Sequence, residues 1–287
     1  MLQKILILFL LFSMSCYNSQ EEKNHAVIVI GKDNFRQVNL PASLNEISGL
    51  VLDDNNNLFA HNDEKGIIYQ LDKNSGKIIK KYQLGRLGIE ADFEAIAVAG
   101  KRFFILESNG IIYEFVEGGN NEKVDVKKYN LNFSSRYEFE GLCYDKKNNG
   151  LLLACKEYQG KKYKDKRPVF LFSLKSGKVF SDPLFVIDND KLKKEYGIKD
   201  FYPSGIAISP LNDCYYILSS KGEPCIVVLS PEGKIIAGEK LSKKHHQQPE
   251  AIAFLNDGTM VIGDEKVHKH ATLSFYSVPT TGKKNGK

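Results

Sequence analysis

Oxygen-bearing side chains recur along this 287-residue chain at a nearly fixed spacing. Ser48, Glu94, Glu140, Ser204 and Glu250 each stand before a Gly or Ala and then an aliphatic residue, as in Phe139-Glu140-Gly141-Leu142 and Pro249-Glu250-Ala251-Ile252. Successive anchors are 46, 46, 64 and 46 residues apart. A second set trails the first: Asp63 and Glu64, Glu107, Glu157, Lys221, then Asp264 and Glu265. Glu46, Asp92 and Glu138 lie two residues ahead of the first three anchors. Carboxylates brought together cannot all ionise without a cation, because like charges raise one another's pKa. Calcium answers that need with six to eight oxygen ligands in tolerant geometry, and oxygen-rich, His-poor surroundings favour it over zinc. The candidate calcium ligands are Glu94, Glu140, Glu250, Glu107, Glu157, Glu265, Glu46 and Asp63. Lys156, Lys221 and Lys266, with Ser48 and Ser204, are candidates for holding a small anionic ligand. The competing reading is structural: the acids bind backbone N–H groups and pair with Lys65, Lys156, Lys221 and Lys266.

Other chemistries find less footing. No Gly-x-Ser-x-Gly elbow, phosphate loop, dinucleotide fingerprint or His-Glu-x-x-His pattern occurs. His245-His246 and His268-Lys269-His270 are expected in solvated loops, a transition-metal site being the sharper alternative. His61, at a strand end beside Asp63, is a candidate acid–base group. Cys143, Cys155, Cys214 and Cys225 are out of register within their hairpins, which predicts packed free thiols. The net charge of +5 sits largely in Lys-rich loops and the tail. No basic groove interleaved with aromatics is visible, so nucleic acid is not an expected partner.

The spacing itself dictates the elements that must position these groups. A period of this size signals stacked supersecondary units. In the first unit, apolar runs at 47–52, 58–61, 67–71 and 78–84 alternate with Asn-, Asp- and Gly-rich turns. That is four antiparallel strands, the footprint of a propeller blade. The start of one strand lies beside the end of the next, so both polar sets should meet at one mouth of a central channel. The last unit, with strands near 250–255, 260–263 and 272–278, lacks a fourth. A stretch at 35–40 precedes the first unit and is expected to supply it, closing the ring and removing an open edge. The fold class is therefore all-β, a five-bladed β-propeller closed by an N-terminal strand, with six blades as the alternative. The long 64-residue step is read as insertions at 159–167 and 188–200, the second with helical character.

The domain division follows. Lys4 precedes an apolar stretch at 5–12, ending at Ser13-Met14-Ser15-Cys16. This marks residues 1–15 as a signal peptide with Cys16 as a lipidation site. Residues 16–25 form a polar tether, 26–279 the propeller and 280–287 a basic tail. The expected location is the cell envelope, held to a membrane through a lipid anchor.

The anchors Phe139-Glu140-Gly141-Leu142, Pro203-Ser204-Gly205-Ile206-Ala207 and Gln248-Pro249-Glu250-Ala251-Ile252-Ala253 resemble the SdiA-regulated, YjiK/CarP-type β-propeller family of bacteria over residues 40–278. That resemblance implies an exported or membrane-associated propeller tied to calcium binding or calcium homeostasis, distantly related to phytase-like propellers. The matching positions are Glu94, Glu140, Glu250, Glu107, Glu157 and Glu265. Lys221 stands where an acid is commoner. The expectation is a calcium-binding regulatory module. Its rivals are a calcium-dependent phosphoester hydrolase and a scaffold for an envelope protein or glycan.

Overall fold

A computed structural model describes residues 35–277. The expected signal peptide, lipidation site at Cys16, tether and basic tail fall outside the described residues.

Five small antiparallel sheets, set around one axis, make five blades. Blade 1 contains Ile47–Leu52, Leu58–Asn62, Ile67–Leu71 and Ile78–Leu84 from the axis outward. Blades 2, 3 and 4 begin at the axis with Phe93–Ala99, Tyr137–Asp145 and Pro203–Ile208. Blade 5 consists of Pro249–Phe254, Met260–Asp264 and Thr272–Tyr276, and Phe35–Asn39 is its outer strand. That N-terminal strand pairs antiparallel with Thr272–Tyr276, Phe35 opposite Tyr276 and Asn39 opposite Thr272. The ring closes as the sequence predicts, with five blades.

Five apolar clusters hold the ring together, one at each junction between neighbouring blades. At the closing junction, Leu58 and Ala60 of blade 1 pack against Val261, Leu273 and Phe275 of blade 5. Burying such side chains stabilises by roughly 1.5–3 kcal/mol each, so closure is driven by the same force as the other four junctions. Cys143, Cys155, Cys214 and Cys225 are free and buried within these layers, as their register requires.

Two details were not legible beforehand. The outer strand of blade 3 is broken into Lys178–Val179 and Phe185–Asp188, both paired to Lys166–Ser173. The loop after blade 2's third strand crosses back, and Lys123–Val124 adds a parallel fifth strand to blade 1. The insertion before blade 4 holds the expected helix, Asn189–Tyr196. The Asp188 carboxylate accepts from the N–H groups of Asp190 and Lys191 at its start, and Gly197, at φ 68°, ends it.

Candidate functional site

The repeated anchor has a structural meaning. Each of the five inner strands carries a register shift against its neighbour, and its residue left unpaired is Ser48, Glu94, Glu140, Ser204 or Glu250; blade 3 has a second shift, which leaves Lys156 unpaired on the neighbouring strand. The five anchors are β-bulges at one level of the ring. A bulge bends its strand and re-aims a side chain, and here it sets the anchor at the entrance of the channel. The small residue after each anchor lets the bulge close. A Cβ on Gly49 would lie 2.2 Å from Nε2 of His61, and one on Gly141 would lie 2.9 Å from Cβ of Ala154.

Two residues past each anchor come Leu50, Ile96, Leu142, Ile206 and Ile252, all buried. Leu52, Val98, Tyr144, Ile208 and Phe254 follow and line, with that ring, a cavity of about 280 Å³ towards the opposite end. The channel therefore has an acidic mouth, an aliphatic floor and a far end where apolar side chains meet Asp53, Asp54 and Asn256.

At the mouth, burial pushes the Glu94 carboxyl up to about 9, helped by Glu140, Asp92 and Glu250. Glu250 rises to about 8 through burial and Glu140, against a hydrogen bond from the Ser220 hydroxyl. Glu140 rises to about 7 through burial, although Lys156 opposes it. Glu265 also rises to about 7, through burial and then Asp63, Glu46 and Glu140. Asp63 is raised by burial and Glu46. Residues from blades 1, 2, 3 and 5 thus share one electrostatic site, although up to about two hundred positions separate them in sequence.

Lys156 is its cation. Its ammonium binds Glu140 and lies 3.7 Å from Glu138. Burial works against that ammonium, yet Glu140, Glu250 and Glu138 hold its pKa above the ordinary lysine value.

The remaining candidates make other contacts. Glu107 is committed inside blade 2, where its carboxylate accepts from the Tyr113 hydroxyl at 2.6 Å and the Asn109 amide at 2.9 Å. Glu157 is paired with Lys221, which also stands 4.5 Å over the ring of Tyr202. The Ser204 hydroxyl donates to the Pro249 carbonyl at 2.8 Å and so ties blade 4 to blade 5. Ser48 is buried, its hydroxyl 3.5 Å from the Glu46 carbonyl. Lys266 is exposed, and its backbone N–H donates to Asn45.

Two histidines depart from expectation. His61 is fully buried, and burial lowers its pKa to about 4. Its Nδ1 lies 2.8 Å from the Asn62 carbonyl while Nε2 has no partner, so it is a neutral core residue sealed from solvent. His246 is buried as well, its Nδ1 2.7 Å from Asp264 and its Nε2 bonded to the Tyr276 hydroxyl. Ser220 was missed in the sequence; its position beside Lys221, at the end of blade 4's second strand, was the available signal.

The profile of the SdiA-regulated family matches residues 33–223 and 193–283. The chain belongs to that family. None of the curated proteins matches the sequence. Among solved structures, a glutaminyl cyclase from Myxococcus xanthus superposes with a TM-score of 0.55 at 12% identity, over 88% of this chain and 97% of that one. U3-55K superposes with a TM-score of 0.50 at 11% identity, over 86% of this chain and all of that one. A streptogramin B lyase reaches 0.43 at 16% identity, over 86% and 74%. At such identities the likeness concerns the propeller fold.

Proposed function

We propose that this SdiA-regulated propeller is an exported, lipid-anchored module that binds calcium at its acidic mouth and acts by binding, in a regulatory role. One observation carries the reading. The bulge carboxylates of Glu94, Glu140 and Glu250 share the mouth with Glu265, all with pKa values displaced to about 7–9, and Lys156 is the one ammonium among the charges acting on them. Such a site is short of positive charge and attracts a cation.

The donors suit a hard ion, since all are oxygens. The ligand shell is not assembled: among the described residues no three His, Cys, Asp or Glu side chains converge as a ligand set. Lys156 holds Glu140 in place of an ion. Calcium entry therefore requires Lys156 to release that carboxylate. It also displaces protons, because Glu94 and Glu250 keep theirs at neutral pH. The phosphoester hydrolase reading has less support, because Lys156 and Lys221 are already engaged by Glu140 and Glu157.

Titration calorimetry of the full chain tests the proposal. The expected result is calcium binding whose heat varies with the ionisation enthalpy of the buffer, lost in the Glu94→Gln/Glu140→Gln variant. No binding, or undiminished binding in that variant, removes the metal reading.

A further inference from the structure

We propose that Lys156 is a tethered counter-ion with two seats, Glu140 inside the mouth and Glu138 at its edge, and that an entering cation moves the ammonium from the first to the second. The proposal deepens the calcium reading of the mouth and rests on it.

The backbone sets Lys156 apart. In four blades the residue before the anchor pairs with the last residue of the second strand: Ile47 with Asn62, Phe93 with Glu107, Pro203 with Ser219 and Pro249 with Asp264. The next residue along that second strand's course is Asp63, Ser108, Ser220 or Glu265. In blade 3, Phe139 pairs with Cys155, and the next residue is Lys156. Among the described residues, only this inner hairpin has a bulge on its second strand, because the ladder resumes with Glu138 opposite Glu157 and skips Lys156. A bulge re-aims the side chain that it frees from the ladder. The extra residue therefore delivers an ammonium to the level where the other blades carry acids or hydroxyls.

Two carboxylates lie within reach of that ammonium. Lys156 Nζ is bonded to Glu140 and stands 3.7 Å from Oε1 of Glu138. The Glu140 side chain is 6% exposed, that of Lys156 20% and that of Glu138 40%, so the three step outward from the mouth towards solvent. The other carboxylates around them are committed. Glu157 is held by Lys221, and Asp92 accepts from the Ser108 hydroxyl at 2.6 Å. Glu94, Glu250 and Glu265 belong to the site that the cation would fill. A lysine's flexible four-carbon stem lets its head change partner by side-chain rotation alone, with the backbone unmoved. At the second seat the ammonium is closer to water and further from the incoming charge, yet still paired. Without Glu138 it would stand unpaired beside a divalent ion, a like-charge contact that weakens binding.

Calorimetry and urea unfolding of the full chain test the two seats. Glu138→Gln should weaken calcium binding about fivefold in the parent chain and leave it unchanged where Lys156→Gln is already present. A loss that persists in the Lys156→Gln background makes Glu138 a direct ligand and overturns the second seat. Unchanged affinity in Glu138→Gln alone overturns it too. A further series needs no ion. Removing the first seat with Glu140→Gln should bring Lys156 onto Glu138, so the drop in urea midpoint caused by Glu138→Gln should roughly double in that background and vanish when Lys156→Gln is added. A drop that Glu140→Gln does not enlarge, or that survives the loss of Lys156, overturns the arrangement. If calcium gives no binding heat with the parent chain, the metal reading falls and the cation-driven movement with it, and the unfolding series decides by itself whether Glu138 is a seat for Lys156.

Discussion

Rim and floor of the central channel are built by the same five strands yet carry opposite chemistry. At one end the bulged anchors hold Glu94, Glu140 and Glu250; two residues further along, Ile96, Leu142 and Ile252 form an aliphatic ring. The difference arises from one unpaired residue per strand. Without the bulge, anchor and aliphatic would follow strict alternation against the neighbouring strand. With it, the anchor leaves the ladder at the rim while the aliphatic stays packed below. The comparison shows how a repeat separates its roles: the floor closes the ring by burial, and the rim gathers charge that burial alone would disfavour.

Exchanging the chemistry of rim and floor should produce the largest effect. Ile206→Asp puts an unpaired carboxylate into the floor and is expected to cost about 4 kcal/mol or more, read as a lowered urea midpoint. Glu94→Leu at the rim should leave the midpoint unchanged or raise it at pH 8, because the residue it removes is ionised only at a cost. Equal losses from both would erase the distinction between floor and rim.

Next in size is the buried bond of His246 to Asp264 and Tyr276 in blade 5. His246→Ala strands both partners and should cost about 1–3 kcal/mol by denaturant unfolding. His268→Ala, in an exposed loop, should change stability by less than about 0.5 kcal/mol.

The rim should also be visible in the pH dependence of stability. Glu94, Glu250, Glu140 and Glu265 keep protons to about 9, 8, 7 and 7 in the folded state, against an ordinary glutamate value of 4.5. Between these limits the folded chain binds more protons than the unfolded one, so stability falls as pH rises from 5 to 9. Glu94→Gln should flatten that fall and raise the Tm at pH 8 by about 2–4 °C. Calcium should oppose the fall in the parent chain. A melting temperature that climbs over the same interval would contradict the displaced pKa values.

The smallest effects sharpen the boundary of the rim itself. Lys156→Gln removes the competing ammonium and should raise calcium affinity about tenfold by calorimetry. Glu107→Gln should leave that affinity within about twofold while costing about 1 kcal/mol of stability, because Glu107 serves Tyr113 and Asn109.

Much of this architecture was legible because propeller blades are local. Hairpins such as that joining Ile47–Leu52 to Leu58–Asn62 are fixed by neighbouring apolar runs and by turns whose Asn and Gly accept positive φ. The 46-residue anchor spacing then set the blade count, and the surplus stretch at Phe35–Asn39 identified the closing strand. The candidate site was only half legible. Glu107 and Asp264 occupy equivalent ends of second strands, opposite Phe93 and Pro249, and are held by Tyr113 and His246, whereas Glu265, one residue further on, senses Asp63 and Glu46 across the closing junction.

The sequence by itself determined a five-fold repeat, its closure and the set of carboxylates available to a mouth, because strand period, turn chemistry and anchor spacing act between near neighbours. Only the tertiary structure decided which carboxylates share a field, that Lys156 stands among them, and that His61 and His246 are sealed in the interior. Those outcomes depend on burial and on distances between different blades, and neither is a property of residues close together in the chain.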